Sequence, residues 1–324
     1  MQVFSKDKIY NFMGKSNFFI SFSIVLILSS YFFLYTKGLN YGIDFAGGTI
    51  VQVKYDKTAP IKQMRENITK DKAFENASIT QFGSPQEVII RFSTAENSTV
   101  KNDAGDKIKT LLKGTGDFQI RRVDIVGPKV GGELREKGMM ALVMSIIVIL
   151  IYVAFRFEWR FAVASVLALV HDVSIAMGAI ALFQVDVNLD VLAALLTLMG
   201  YSLNDTIIVF DRIREGIGDT KETNLFNVIN DAVSKTLSRT LLTSLTTFFV
   251  ILTLYALGGE IISSFSFTLL VGIVVGTYSS VFVASPMLKW LGFDLQSYKA
   301  KEALKAKRKI EKEKARAMYE KGML

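Results

Sequence analysis

Six long apolar runs govern what this chain can fold into. They lie at about Ser16–Thr36, Lys137–Phe155, Phe161–Phe183, Leu189–Phe210, Arg239–Leu257 and Ile262–Leu288. A helix rises about 1.5 Å per residue, so about 20 apolar residues cover a hydrocarbon core about 30 Å thick. Runs of this length predict a polytopic α-helical membrane protein with six transmembrane helices. With half of its 324 residues hydrophobic and 21% charged, the chain is too apolar for a soluble domain of its size.

Charge sets the expected orientation. The net +8 does not point to nucleic acid, because the excess lies after Ser297 and in short segments between apolar runs. Arg156 and Arg160 sit in one short loop, and Arg212, Arg214, Lys221 and Lys235 in another. The turns at Gln184–Asn188 and 258–261 hold Asp186 and Glu260 and no cation. Cationic loops stay inside, so both termini are expected in the cytoplasm, with residues 37–136 outside. The first run follows Lys6, Lys8 and Lys15, as a leader would. It is long for a leader, and no small-residue cleavage site follows, so it is read as an uncleaved anchor.

The expected division is 1–36 for the N-terminus and first span, 37–136 for an outer domain, 137–290 for spans two to six, and 291–324 for a basic tail. Within the outer domain Thr49–Tyr55 alternates with the period of a half-buried strand. Pro60–Lys70 opens on proline and reads as helix. Ser78–Phe82 and Glu87–Phe92 read as strands about a Gly83-Ser84-Pro85 turn, Thr99–Leu112 as helix and Phe118–Val126 as strand. The order β-α-β-β-α-β predicts an α+β ferredoxin-like domain between spans one and two. The charge-rich tail from Tyr298 reads as a solvated helix, or as a contact for anionic lipid, ribosomal nucleic acid or an acidic partner.

Charges inside the spans carry the chemistry. Asn204 and Asp205 interrupt the fourth run, and Thr197, Gly200 and Ser202 beside them admit water or close approach. Counting down the run places Asp205 about 24 Å deep, in the inner third of the membrane. Arg239 opens the fifth span, where its guanidinium can meet Asp205. His171 and Asp172 fall near the midplane of the third. A charge at such depth costs at least about 2.5–3.5 kcal/mol, so these groups pair or line a water path. An aspartate whose arginine partner comes and goes binds a proton in one state and releases it in the other. The same pair could instead be fixed and only hold two helices together, and His171 could be a hydrogen-bonded core residue. Gly272, Gly276, Ser280 and Ala284 recur at i, i+4, and Ala164 and Ala168 share a face with Asp172, which predicts close helix packing.

Conventional enzyme chemistry finds no support. Cysteine is absent and histidine occurs once, so neither a metal site nor a cofactor is expected. Gly14-Lys15-Ser16 resembles the end of a P-loop, but Ile9 stands where its first glycine belongs. The glycines of Gly42–Thr49 do not form G-x-G-x-x-G and are expected to shape the entry into the first strand.

Several stretches together resemble the SecD/SecF family of the bacterial Sec protein-export machinery. They are GIDFAGGT (Gly42–Thr49), VDIVGPKVGGEL (Val123–Leu134), YVAFRFEWRFA (Tyr152–Ala162), His171-Asp172, GYSLNDTIIVFDRIRE (Gly200–Glu215) and LSRTLLTS (Leu237–Ser244). The Asp205 region is shared more loosely with proton-driven exporters of the RND superfamily. The resemblance implies an auxiliary subunit that works with SecD, and often YajC, beside the SecYEG channel. It implies use of the proton-motive force across a bacterial inner membrane to help polypeptides complete crossing, with Asp205 carrying the proton, Arg239 as its partner, and Asp172 and Asn204 in support. Half of an RND-type small-molecule or lipid exporter and a passive channel scaffold are the alternatives. Six spans with one modest outer domain leave little room for a substrate funnel.

Overall fold

The computed structural model describes residues 8–71, 74, 77–92, 104–219, 222–259 and 262–320. Among these, six helices are long and apolar enough to cross a membrane. They are α1 (Ser16–Thr36), α5 (Pro128–Arg156), α6 (Trp159–Phe183), α7 (Leu189–Asp219), α8 (Leu225–Leu257) and a composite of α9 (Ser263–Ser279), a π-helical turn (Ser280–Ala284) and α10 (Ser285–Trp290). About half of the span residues of α6, α7 and α9–α10 are buried, against fewer than one in five in α1, α5 and α8. The first three make the centre of the bundle. The other three turn broad apolar faces outward.

Helices run past the apolar windows that announce them. α5 starts at Pro128 rather than Lys137. Proline suits a first turn, where no N–H is needed, so residues 128–136 are helix continuous with the second span rather than part of the outer domain. α7 reaches Asp219, and α8 starts at Leu225, where the Asn224 side chain accepts the Phe226 N–H at 2.9 Å. Asp205 therefore lies 16 residues from one end of α7 and 14 from the other (205 − 189 and 219 − 205), near the middle of the helix.

Between α1 and α5 the chain forms α2 (Ile43–Ala46), β1 (Gly48–Tyr55), α3 (Ile61–Ile68), β2 (Ser78–Phe82), β3 (Ser84–Phe92), α4 (Ala104–Leu111) and β4 (Phe118–Val126). The strand order β2-β3-β1-β4, antiparallel throughout, is the ferredoxin-like one that the pattern predicted. Inward residues Val51, Val53, Val88 and Ile90 share one core with Met64, Ile68 and Ile108 of the two helices. The expected helix began at Thr99, which lies outside the described residues, as do Lys221 and Glu260 of the loops that set the orientation.

The GIDFAGGT stretch does more than lead into β1. Phe45 packs in a core with Val187 of the α6–α7 connection and Val191 of α7. Asp44 Oδ2 accepts the Leu189 N–H at 3.1 Å and so caps α7. Gly47 has φ +76°, and a Cβ there would lie 2.8 Å from Pro128 Cα; one on Gly131 would lie 2.9 Å from Gly47 N. Two backbones touch at this crossing, which only glycine permits. Arg91 of β3 and Asp186 of the α6–α7 turn add an ion pair at 3.4 Å.

Beyond α10, α11 (Leu295–Glu320) carries the tail. Asp294 precedes it and accepts from Gln296 N, Ser297 N and the Ser297 hydroxyl. These bonds, led by those from Ser297, hold its carboxyl below the usual carboxylate range. Lys301 pairs with Glu158 at 2.8 Å, and Lys299 donates to the Glu222 carbonyl at 3.0 Å, tying the start of α11 to the bundle.

Candidate functional site in the membrane core

Two carboxylates are buried in the bundle, each held by hydroxyls from neighbouring helices. Asp172 of α6 is 0% exposed. Its Oδ1 meets His171 Nδ1 at 2.8 Å, and its Oδ2 accepts from Ser202 of α7 at 2.5 Å and Ser279 of α9 at 2.8 Å. The cluster ties together the three central helices. The His171 ring stacks on Tyr278 with centroids 6.1 Å apart, and the Tyr278 hydroxyl donates to the Phe19 carbonyl of α1 at 2.7 Å. His171 Nε2 is buried with no hydrogen-bond partner among the described residues.

Asp205 lies one turn beyond Ser202 on α7 and is 1% exposed. Ser244 of α8 donates to its Oδ2 at 3.2 Å, and Thr277 of α9 meets Ser244 Oγ at 2.8 Å. Asp205 is thus joined to α8 and α9 by hydroxyls, whereas the sequence led to an expected meeting with Arg239. Arg239 is exposed and, among the described residues, makes no ion pair with Asp205. Its guanidinium is close enough to act on that carboxylate electrostatically. It lines a polar cavity with Asp211, Arg212, Glu215 and Lys235 at the tail side.

Asn204 is set apart from this arrangement. It is exposed, on the outward face of α7 with Ala193, Thr197 and Gly200, and joins neither cluster. Successive residues of a helix face different ways, so adjacency to Asp205 in sequence does not bring Asn204 to the same site. Gly272 and Gly276 lie where α9 crosses α7: a Cβ on Gly276 would meet Ser202 Cβ at 3.1 Å, and one on Gly272 would meet Leu198. This contact brings Ser279 and Thr277 within reach of the two carboxylates. Ser280 and Ala284 open and close the π-helical turn, whose wider winding shifts the register of the residues after Ser280. Pro286 follows, and it has no N–H to give the carbonyl four residues back. Both residues are buried, and Ser280 Oγ donates to the Thr277 carbonyl at 3.0 Å.

Sequence reasoning overlooked Ser244, Thr277, Tyr278 and Ser279. The signal was a polar quartet, Thr277-Tyr278-Ser279-Ser280, in mid-span. Spread over one helical turn, it serves both carboxylates. Among the described residues no group of His, Asp and Glu is arranged to hold a metal ion.

The chain matches two family models: "Protein export membrane protein SecD/SecF, C-terminal" over residues 107–294 and "SecD/SecF GG Motif" over residues 32–59. The second match contains the glycine crossing at Gly47. The protein translocase subunit SecF of Helicobacter pylori is 48% identical over 100% of both chains. That of Escherichia coli O157:H7 is 39% identical over 88% of each. Among solved structures, the crystal structure of SecDF from Thermus, a translocon-associated membrane protein, superposes with a TM-score of 0.78 at 34% identity over 90% of this chain. This chain spans 40% of the length of that SecDF chain. With the fold, both motif regions and full-length relatives in agreement, the chain belongs to the SecD/SecF family, among its SecF members.

Proposed function

We propose that the chain is the SecF-type subunit of a Sec protein-export machine. It works with a SecD-type partner beside SecYEG, and with YajC, in the bacterial inner membrane. It uses the proton-motive force to help polypeptides finish crossing. Both termini lie in the cytoplasm, and the α+β domain lies on the far side. Asp205 carries the proton and Arg239 is its counter-charge, while Asp172 and His171 hold the helices around it.

One observation supports this reading most. The Asp205 carboxylate is buried at mid-helix with, among the described residues, a single hydroxyl donor, and its nearby cation stands apart and exposed. A carboxylate locked in an ion pair keeps its charge. One that meets its arginine in only part of a cycle changes protonation as the partner arrives and leaves. A proton crossing 100 mV supplies about 2.3 kcal/mol for such a step. The small residues on the outward face of α7 let a partner's helix approach closely.

The test replaces Asp205 by Asn, which retains shape and an acceptor for Ser244. Assembly with the SecD-type partner should persist, while gradient-dependent export and proton flux in proteoliposomes fall to background. Export at the native rate would leave only a bracing role, and altered drug resistance without a secretion defect would favour a small-molecule exporter.

A further inference from the structure

Between α8 and α9 runs an apolar groove of about 500 Å³, within the range of about 300–1,000 Å³ usual for small-ligand sites. One wall is the i, i+4, i+8, i+11 face of α8: Leu237, Leu241, Leu245 and Phe248. The other is Val274 and Phe282. Leu245 and Val274 are 50% and 56% exposed, so the groove opens sideways, at a depth that places it in hydrocarbon. Ser244, Thr277 and Tyr278 reach its back, but their hydroxyls are spent on Asp205, the Ser244 oxygen and the Phe19 carbonyl. Thr240 is the exception, its hydroxyl having no partner among the described residues. An open apolar slot in a bilayer forfeits dispersion contacts until methylenes fill it.

The tail-side end of the groove is closed by the segment before α1. Phe12 enters it, its ring 5.8 Å from that of Phe282. Bonds from Tyr10 N to Ser234 Oγ and from Met13 N to Asn230 Oδ1, both 2.9 Å, pin the segment to α8. Lys8 and Lys15 flank Phe12 in sequence. Both are exposed, and neither forms an ion pair among the described residues. Asp231, the acid nearest along α8, is taken by Lys235 at 2.7 Å. The segment that closes the slot thus carries two exposed ammonium groups without an ion pair among the described residues, Lys8 resting over the Tyr10 ring at 5.3 Å. A lysine is a strongly hydrated point charge suited to a phosphate at a membrane surface.

We infer that this groove holds an acyl chain of an anionic phospholipid from the leaflet on the tail side, with its phosphate at Lys8 and Lys15. The lipid's methylenes then lie against Ser244 and Thr277 and keep water from that side of the hydroxyl bridge. Its binding does not depend on whether Asp205 moves protons.

The experiment places one tryptophan at the groove's rim, Leu242→Trp, with Trp159→Phe and Trp290→Phe, in the full chain with its SecD-type partner. Fluorescence is read in vesicles containing phosphatidylglycerol or phosphatidylcholine brominated on the acyl chain. Half-maximal quenching should occur at a lower mole fraction of the anionic lipid, by about fivefold for each lysine engaged. Lys8→Gln with Lys15→Gln should erase the difference. Equal quenching by both lipids would mean bulk contact, and no quenching would mean that a protein helix covers the groove; either result overturns the inference. Should the tryptophan variant fail to assemble, native mass spectrometry of the unaltered complex decides. Retained phosphatidylglycerol that the double lysine variant loses supports the site, and equal retention refutes it.

Discussion

Asp172 and Asp205 are alike in burial and opposite in setting. Asp172 accepts from two hydroxyls and contacts an imidazole. Truncating it to Ala orphans donors on three helices, and each buried group left unsatisfied costs about 1–3 kcal/mol. Asp172→Ala should therefore lower the thermal midpoint of the purified complex by several degrees and weaken its assembly. Asp205→Asn should melt within about 2 °C of the native complex, since a single hydroxyl bond of modest net worth is retained. Scanning fluorimetry of both variants checks the contrast, and equal destabilisation would mean that Asp205 too is a fastener. The sequence disclosed both acids, because an ionised group in an apolar run stands out. It did not disclose their hydroxyl partners, since Ser and Thr occur in membrane helices for many reasons and only the crossing of α7 and α9 selects these.

At the scale of elements, the periodicities carried far. Span number, strand order and the α+β domain were all legible, because each rests on a repeat of apolar residues along the chain. Helix ends were not, since a hydropathy window stops at the first charges whereas the backbone ladder continues through them. The glycines show what such patterns leave out. A side chain at Gly276 would force α9 from α7, and Gly276→Leu should break the Ser279–Asp172 and Thr277–Ser244 bonds together. Overpacking of this kind costs about 1–3 kcal/mol. The loss should appear as faster proteolysis and reduced export without change to the α+β domain. At the other end of the bundle, the Asp294 bonds make the first turn of α11 dependent on pH. Because the carboxyl is held below its ordinary value, its contribution is full above about pH 4 and is lost as pH falls through the lowered value. Amide exchange at Gln296 and Ser297 should rise over that acid range, and Asp294→Asn should show raised exchange that no longer responds to it.

The whole molecule is an open half. α1, α5 and α8 bury few span residues, and the outward face of α7 carries Ala193, Thr197, Gly200 and Asn204. The chain has no native cysteine, so Thr197→Cys offers a clean probe. It should cross-link to a single cysteine in a SecD-type partner in membranes, at least about tenfold faster than Val143→Cys on the outward face of α5, where lipid is expected. Comparable rates would place the partner elsewhere. The glycine crossing sets the mechanics of this half. β1 leaves Gly47 and β4 ends two residues before Pro128, so both strands are clamped where α5 begins. An unbroken helix of 29 residues is about 43 Å long. Turned by only 5° about that fulcrum, its far end would travel nearly 4 Å by the same geometry. The converse makes the joint useful: a displacement of a few ångströms deep in the bilayer reaches the sheet as a small rotation delivered at its root.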